Sequence, residues 1–224
     1  MKISKKNIIG IDIGGTKIRG VLWNGKRVLK SKEISTPKTL SKFESALINL
    51  TKFLGPAKEL NVGAAGIING TKLARSPNIP YIKNFDFKTK LDNDARCFAR
   101  AHQKLTHLGR RAVLFLTLGT GVGRALIKNG KILDIKKFEY PEHWEREYQK
   151  LRDGHDNERL AEFLTKNLKR IIKIYQPALM VVGGGAASGR ERKGFLGLLR
   201  EELKIKIQKS KLGKNATAIG AALL

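Results

Sequence analysis

The sequence of 224 residues is 41% hydrophobic, 29% charged and 7% aromatic, which is typical of a folded chain and excludes the disordered, collagen-like and disulfide-rich classes. Its 45 lysine and arginine residues outnumber its 19 acidic residues, and the formal net charge of +26 favours nonspecific binding to polyanions. The apolar runs are too short to span a bilayer and no nucleic-acid motif is recognisable, so we expect a cytoplasmic protein with no membrane partner and no specific DNA binding.

The predicted elements begin with a hairpin. Isoleucines in residues 8–13 predict a β-strand, residues 14–16 a tight turn and residues 18–23 a returning strand. Asn24 and Gly25 then predict a two-residue turn into a further strand.

A second copy of this pattern occupies residues 113–131. An apolar strand, a glycine turn at residues 119–121, a returning strand and another Asn-Gly pair at residue 129 follow in the same order. Arg19 and Arg124 hold matching positions in the two copies. The repetition predicts two α/β domains built by internal duplication.

Helices and strands alternate along the rest of the chain. Apolar spacing predicts helices at residues 41–54, 95–105, 157–175, 195–207 and 216–224, and strands at residues 61–68 and 178–182. We therefore predict an α/β fold with two lobes around a cleft. The predicted domains are residues 1–108 and 109–224, with the last helix a candidate for packing back on the first lobe.

The two glycine turns are candidate phosphate sites. Backbone N–H groups without a neighbouring Cβ, beside a threonine hydroxyl or a lysine, suit a phosphate group. One such turn is more often a plain hairpin turn, but two in matching positions favour binding of a polyphosphate from both sides. The candidate residues are Gly14, Gly15, Thr16, Lys17, Gly119, Thr120 and Gly121.

Asp12 ends the first strand beside its glycine turn. A carboxylate repels phosphate unless a cation lies between them, and Mg²⁺ held through water resolves that conflict. Capping of the turn is an equally good explanation of this residue.

A polar segment at residues 92–94 lies at a predicted strand-to-helix junction. Asp94 suits a general base for an attacking hydroxyl and Asn93 suits binding of neighbouring hydroxyls, although one of them suffices to cap the helix. Glycine loops at residues 63–66 and 183–185 allow close approach of a ligand but are also typical of turns. The four histidines and single cysteine have no zinc-site spacing, so no zinc is expected.

Taken in order, these motifs resemble the ROK family of sugar kinases and repressors, within the two-lobed superfamily of actin, hexokinase and the heat-shock chaperone ATPases. Residues 12–17 and 116–123 are similar to its two phosphate motifs. Residues 62–68 are similar to its glycine-proline-glycine sugar loop, with Ala65 where proline is usual, and the segment 76–80 follows as in the family. Residues 92–95 are similar to its Glu-Asn-Asp-Ala motif, and residues 176–185 and 218–222 to its adenosine-side segment and terminal helix.

The resemblance implies a role for each matching residue. Asp94 would be the catalytic base that deprotonates a sugar hydroxyl, usually the 6-hydroxyl. Asp12 would help to place Mg²⁺, and the two turns would bind the phosphates of ATP. The other implied sugar contacts are Gly66, Asn78, Asn93, Glu139 and His143, and the residues flanking the adenosine are Gly183, Gly184 and Gly185.

The sequence also departs from the family pattern. The Cys-x-Cys-Gly-x-x-Gly-Cys zinc motif is absent, and residues 138–143 replace the Glu-x-Gly-His sugar motif. Glu139 and His143 are therefore alternative contacts to the C1/C2 side of the sugar. Glu145 or Glu147 is a candidate for the later sugar-binding glutamate.

Arginines replace smaller residues beside two of the motifs. Arg96 follows the catalytic motif and Arg124 follows the second phosphate motif. The two cations suit an anionic sugar or a longer phosphate donor, or they are solvated surface residues.

The sequence thus predicts an ATP- and Mg²⁺-dependent sugar kinase acting on a hexose-like hydroxyl. Inorganic polyphosphate is an alternative donor, because the net charge is strongly positive. A non-catalytic sugar or nucleotide sensor and a basic RNA-associated protein are the alternatives from other classes. Retention of Asp94 with both phosphate turns favours catalysis, and the resemblance suggests a homodimer.

Overall fold

The computed structural model describes residues 7–139, 143–187 and 194–224, which form two compact units. Unit 1 consists of Met1–Lys104 and Lys214–Leu224, and unit 2 consists of Leu105–Gly213. The sequence-based boundary falls after residue 108 and the structural one after Lys104. Unit 1 is therefore discontinuous in sequence, whereas unit 2 is a continuous segment.

Strands and helices follow in an alternating order. The first part of the chain forms β1 (Ile8–Ile13), β2 (Lys17–Trp23), β3 (Val28–Ser35), α1 (Leu40–Leu54), β4 (Glu59–Ala64), β5 (Ile67–Asn69), β6 (Lys72–Arg75), β7 (Lys83–Asp86), β8 (Leu91–Asn93) and α2 (Asp94–Leu105). The remainder forms β9 (Val113–Leu118), β10 (Val122–Lys128), β11 (Lys131–Leu133), α3 (Glu145–Asp153), α4 (Asn157–Tyr175), β12 (Leu179–Gly183), α5 (Phe195–Leu203), β13 (Ile207–Lys209) and α6 (Ala216–Ala222).

The main sheet of unit 1 has the strand order β3-β2-β1-β4-β8. The strand β1 pairs antiparallel with β2 and parallel with β4, and β8 pairs parallel with β4. Because β1, β4 and β8 run in the same direction, their carboxyl ends lie at one edge of the sheet. That edge carries the first glycine turn and the start of α2.

Helices cover both faces of this sheet. On one face, a Cβ at Gly20 would lie 2.7 Å from a methyl carbon of Leu54, so α1 packs directly on β2. On the other face, a Cβ at Gly10 would lie 1.9 Å from the carbonyl oxygen of Ala218 in α6. Glycine in the central strand is what allows the backbone of α6 to approach so closely.

Unit 1 also contains a three-stranded antiparallel sheet, β5-β6-β7, which the sequence analysis did not predict. Its strands are only three or four residues long, which is too short for a clear alternation of apolar and polar residues. An edge-to-face aromatic contact of Phe43 with Phe85 joins this sheet to α1, and Phe43 makes a second such contact with Tyr81, just before β7.

The main sheet of unit 2 has the order β11-β10-β9-β12-β13. Its first three strands are antiparallel, and β12 and β13 run parallel to β9. This is the strand order and direction of the unit 1 sheet, so the predicted duplication of an α/β domain is confirmed.

The two Asn-Gly turns differ. In unit 2, Lys128 pairs with Lys131, and both Asn129 and Gly130 have positive φ, as a two-residue type I′ turn requires. In unit 1, Trp23 pairs with Val28, so the predicted two-residue turn is instead a four-residue loop. The Asn24 side chain stabilises the longer loop by accepting hydrogen bonds from the N–H groups of residues 26 and 27.

The helices of unit 2 show one confirmed boundary and one wrong one. The predicted helix at residues 157–175 is α4, capped by Asp156, which accepts from the N–H of Arg159. The predicted helix at residues 195–207 ends earlier, at Leu203. Lys204 is left-handed and its N–H binds the carbonyl of Arg200, while Ile207 pairs with Met180 in the sheet.

Candidate functional site

The first glycine turn connects β1 to β2 at the carboxyl edge of the unit 1 sheet. The N–H of Gly14 donates to the carbonyl of Lys17, and the hydroxyl of Thr36 donates to the carbonyl of Gly14 at 2.7 Å. A Cβ at Gly15 would lie 2.5 Å from Cβ of Asn78. The absence of a side chain at Gly15 therefore brings the predicted sugar residue Asn78 into contact with the predicted phosphate turn.

Lys17 follows this turn and has a carboxylate partner. Its Nζ atom lies 2.6 Å from Oε1 of Glu33, and Arg19 binds the same carboxylate. Hydrogen bonds from Lys17 and then Arg19 lower the pKa of Glu33 to about 2. Lys17 must therefore leave or share Glu33 to bind a phosphate.

Asp12 lies at the end of β1, directly opposite Arg19 in the β1–β2 pairing. Burial, followed by the charge of Asp94, raises the pKa of Asp12 to about 7, although Arg19 at 4.0 Å acts in the opposite direction. Asp12 and Asp94 lie at the same carboxyl edge of the unit 1 sheet, and their carboxylates repel each other. A divalent cation would relieve the repulsion between them, so the carboxylate pair fits Mg²⁺.

Asn93 and Asp94 lie where β8 passes directly into α2. The side-chain oxygen of Asn93 accepts from the N–H groups of Ala95 and Arg96, and Oδ1 of Asp94 also accepts from Ala95. Asn93 thus caps α2, in agreement with the capping role that the sequence allowed for one residue of this segment, and Asp94 is the first residue of the helix. Capping also fixes the position of Asp94 at the positive end of the helix dipole.

Asp92 binds two arginines of α2. Its carboxylate lies 2.5 Å from Nη2 of Arg100 and 3.3 Å from Nε of Arg96. Arg96 is therefore paired with Asp92 of β8, the strand that precedes its helix.

The predicted sugar loop makes a close backbone contact at Gly66. Gly66 has a φ of 147°, and a Cβ there would lie 2.3 Å from the carbonyl oxygen of Arg75. The adjacent Ser76 is 1% exposed, and its hydroxyl has no hydrogen-bond partner in the described parts of the chain. Only glycine fits at residue 66 in this conformation.

The second glycine turn connects β9 to β10 in unit 2, with the N–H of Gly119 donating to the carbonyl of Gly121. Gly184 packs against this hairpin, because a Cβ there would lie 2.2 Å from the carbonyl oxygen of Leu118. The parallel pairing of β12 with β9 places Gly183 opposite Thr117. The predicted phosphate residues 119–121 and the predicted adenosine residues 183–185 thus share one edge of the unit 2 sheet.

The helix α3 was missed by the sequence analysis, and four of its side chains bind the second turn. Tyr148 and Arg152 donate to the carbonyl of Gly119, at 3.2 and 2.7 Å. Gln149 donates to the carbonyl of Thr120, and Glu145 accepts from the N–H of Val122, both at 3.0 Å. The four residues recur at helical spacing, which is the sequence pattern that identifies the helix.

Arg124 and Glu145 form a buried ion pair, with Nη2 and Oε1 3.0 Å apart. Arg124 is 1% exposed, donates to the carbonyl of Phe138 and lies over the ring of Trp144. The expectation that Arg124 is a cation facing a ligand or the solvent is therefore wrong. Glu145 is likewise wrong as a sugar contact, because its two carboxylate oxygens bind Arg124 and Val122.

The remaining predicted sugar residues, Glu139 and His143, also belong to unit 2. Glu139 is partly buried and His143 is exposed just before α3. Residues 140–142 of the replaced sugar motif lie outside the described residues. The structure thus leaves both residues as alternatives.

Within residues 7–139, 143–187 and 194–224, no three or more His, Cys, Asp or Glu side chains cluster as metal ligands. Nor does that part of the chain contain a helix long and apolar enough to cross a membrane.

Comparison with known proteins identifies relatives of this arrangement. The sequence model described as "ROK family" matches residues 8–134. The N-acetyl-D-glucosamine kinase of Haemophilus influenzae is 32% identical over 143 residues, which are 55% of this chain and 46% of the relative. The chain spans about half the length of the curated relatives it matches.

Solved structures extend the likeness to nearly the whole chain. The inorganic polyphosphate/ATP-glucomannokinase of Arthrobacter sp. strain KM has a TM-score of 0.84 and 26% identity, with 97% of each chain covered. A ROK family glucokinase from Streptomyces griseus, solved with glucose and AMPPNP, has a TM-score of 0.77 and 19% identity, with 96% of this chain and 98% of that chain covered. These likenesses confirm the predicted actin-like α/β fold class, and the family match covers more than half of the sequence. The chain belongs to the ROK family.

Proposed function

We propose that the protein is a sugar kinase that transfers the γ-phosphoryl group of ATP to a hexose-like hydroxyl. The observation that supports this proposal is in unit 1, where the first glycine turn, Asp12 and the start of α2 with Asp94 lie at one carboxyl edge of the sheet and Gly15 contacts Asn78. The kinases found among the relatives support the reaction class. The proposal includes action in the cytoplasm, where ATP is available.

In the proposed reaction, Asp94 is the catalytic base. Its carboxylate accepts the proton of the sugar hydroxyl as that oxygen bonds to the γ-phosphorus. The bond from this phosphorus to the oxygen bridging to the β-phosphate breaks, and ADP leaves with the electron pair. Asn93, Asn78 and Gly66 are proposed to bind the sugar, with Glu139 or His143 as a further contact.

The glycine turns are proposed to hold the phosphates through their N–H groups. In unit 1 these residues are Gly14, Gly15, Thr16 and Lys17, and in unit 2 they are Gly119, Thr120 and Gly121, with Gly183, Gly184 and Gly185 beside the adenosine. Asp12 is proposed to hold Mg²⁺, which neutralises phosphate charge when bound. A nearby cation also favours ionisation of Asp12, whose pKa without it is about 7.

Inorganic polyphosphate is a second candidate donor. The likeness to a polyphosphate/ATP-dependent enzyme at 26% identity and the net charge of +26 both favour it. A positively charged protein attracts inorganic polyphosphate as well as ATP, because both donors are polyanions.

Product formation tests the proposal. The purified protein is incubated with Mg²⁺, ATP or polyphosphate, and a panel of hexoses, amino sugars and N-acetyl sugars, and phosphosugar is detected by mass spectrometry. We expect D94N to lower kcat by about 10²- to 10⁴-fold, the usual contribution of a general base. D86N is the matched control, since Asp86 is an exposed residue of unit 1 that binds Thr71.

Two outcomes would contradict parts of this proposal, the first the role of Asp94 and the second the kinase activity. Equal activity in D94N and the native protein would remove Asp94 from the reaction. Binding of sugar or ATP without any product across the panel would favour the non-catalytic sensor.

A further inference from the structure

The second glycine turn is held from one side by one face of α3. Glu145, Tyr148, Gln149 and Arg152 are spaced by three, one and three residues, so they project from the same side of the helix. Together they bind three consecutive peptide groups at the turn, through the carbonyls of Gly119 and Thr120 and the N–H of Val122.

Binding of these carbonyls fixes the direction of the neighbouring N–H groups. In a planar trans peptide, the C=O of one residue and the N–H of the next point in opposite directions. Because Gln149 binds the carbonyl of Thr120, the N–H of Gly121 points away from α3. The N–H of Thr120 points away in the same manner, because Tyr148 and Arg152 bind the carbonyl of Gly119.

The position of α3 is in turn set by its first residue. Glu145 is 6% exposed and shares its carboxylate between Arg124 and the N–H of Val122. Arg124 belongs to β10, the strand that leaves the turn. The buried ion pair therefore attaches the start of α3 to the same hairpin that its later residues bind.

The first turn shows the same principle with different residues. The carbonyl of Gly14, which corresponds to that of Gly119 in the duplicated pattern, accepts from the hydroxyl of Thr36. The N–H of Gly15 is thereby directed away from Thr36. Side-chain binding of the carbonyl at this position is thus common to both turns, although the donors come from unrelated elements.

We propose that Gln149 and Arg152 are positioning residues that orient the N–H groups of residues 120 and 121 toward the phosphate chain of the donor. The inference rests on the proposed function, in which this turn binds donor phosphates. Neither side chain is assigned to the sugar or to the reacting atoms. Their effect on the ligand passes through the carbonyls that they bind.

Isothermal titration of the 224-residue chain with ATP, inorganic tripolyphosphate and adenosine, in the presence of Mg²⁺, tests the inference. Q149M removes a neutral donor at similar side-chain length, so no charge is lost near the ligand. We expect Q149M and R152M each to raise the Kd for ATP and tripolyphosphate by about five- to tenfold, the usual value of one hydrogen bond. The Kd for adenosine stays within twofold of the native value.

Two further variants separate positioning from other effects. R152K keeps a donor for the carbonyl of Gly119 and is expected to restore most of the ATP affinity lost in R152M. K150M is the matched control, since Lys150 is an exposed residue of α3 and is expected to leave all three Kd values unchanged.

The contrary outcomes are distinct. If the native protein binds ATP and Q149M and R152M bind it equally well, the positioning role is wrong and the proposed function stands. If the Kd for adenosine rises in parallel with that for ATP and the melting temperature falls, the residues act only on stability and the inference is overturned. If the native protein binds neither ATP nor tripolyphosphate, the proposed phosphate site itself fails, and the inference falls with it.

Discussion

His102 is a buried titratable residue outside the candidate site. It is 4% exposed on α2, with its ring 4.8 Å from that of Phe98. Burial lowers the pKa of His102 to about 4 from its usual value of 6.5. Between these two values the unfolded chain binds a proton that the folded chain does not, so His102 destabilises the fold as the pH falls through this range.

We therefore expect the free energy of unfolding of the native protein to fall more steeply than that of H102Q between pH 6.5 and pH 4. The difference in slope approaches about 1.4 kcal/mol per pH unit, the value for one proton. Urea unfolding of both proteins at several pH values measures it. Comparison with H102Q removes the contribution of Asp12, whose raised pKa acts in the opposite direction. A pH-independent difference between the two proteins would contradict the prediction.

At the residue scale, the sequence predicted the local structure around the motif residues better than it predicted which side chains bind each other. Asn93, Asp94 and Gly15 lie where local pattern placed them, because turns and caps depend on residues close in sequence. Arg124 was misjudged because its partner, Glu145, lies on a helix that the pattern analysis missed. A buried charge is distinguishable from a solvated one only when the element that covers it is known.

At the scale of elements, the closeness of helix packing determines whether a helical glycine can be replaced. A Cβ at Gly220 of α6 would lie 1.7 Å from the carbonyl oxygen of Cys97 in α2. A Cβ at Gly197 of α5 would have no atom within 4 Å. These two helical glycines form a matched pair, because the same substitution meets backbone at one and open space at the other.

We expect G220A to lower the free energy of unfolding by about 3 kcal/mol, the upper end of overpacking costs, because backbone atoms cannot move aside. We expect G197A to raise it by about 0.5 to 1 kcal/mol, since alanine is the better helix former. Urea unfolding followed by circular dichroism measures both changes. Equal effects of the two substitutions would show that the α2–α6 contact is looser than described.

Element prediction succeeded where period and flanking residues agreed. The helix α4 is long, strongly periodic and capped by Asp156, and its ends match the prediction. The helix α5 was extended into β13 because residues 204–207 remain compatible with a helix in sequence. Tertiary contacts, and not the local sequence, determine the left-handed conformation of Lys204 and the pairing of Ile207 with Met180. The helix α3 is short, and only its contacts with the turn reveal its importance.

At the scale of the whole molecule, the two units differ in continuity. Unit 2 is one segment, whereas unit 1 needs α6 from beyond residue 213 to cover Gly10 and the central strands. Domains fold alone when their core is complete. We therefore expect the fragment 105–213 to unfold cooperatively on heating and the fragment 1–104 not to do so.

Circular dichroism during heating distinguishes these fragments. Addition of a peptide of residues 214–224 in excess to the fragment 1–104 is expected to restore a transition, because the peptide supplies α6. The same peptide added to the fragment 105–213 is the control and should change nothing. Cooperative unfolding of the fragment 1–104 alone would show that α6 is dispensable for this unit.

The discontinuity of unit 1 has a consequence for the order of events on the ribosome. Nascent domains usually fold from the amino terminus onward. Here α6 is translated only after all of unit 2, so the sheet face around Gly10 stays uncovered during synthesis of about half of the chain. The later unit can thus be complete before the earlier one. We therefore expect chaperone binding and aggregation to compete with folding during the period when unit 1 has been synthesised but α6 has not.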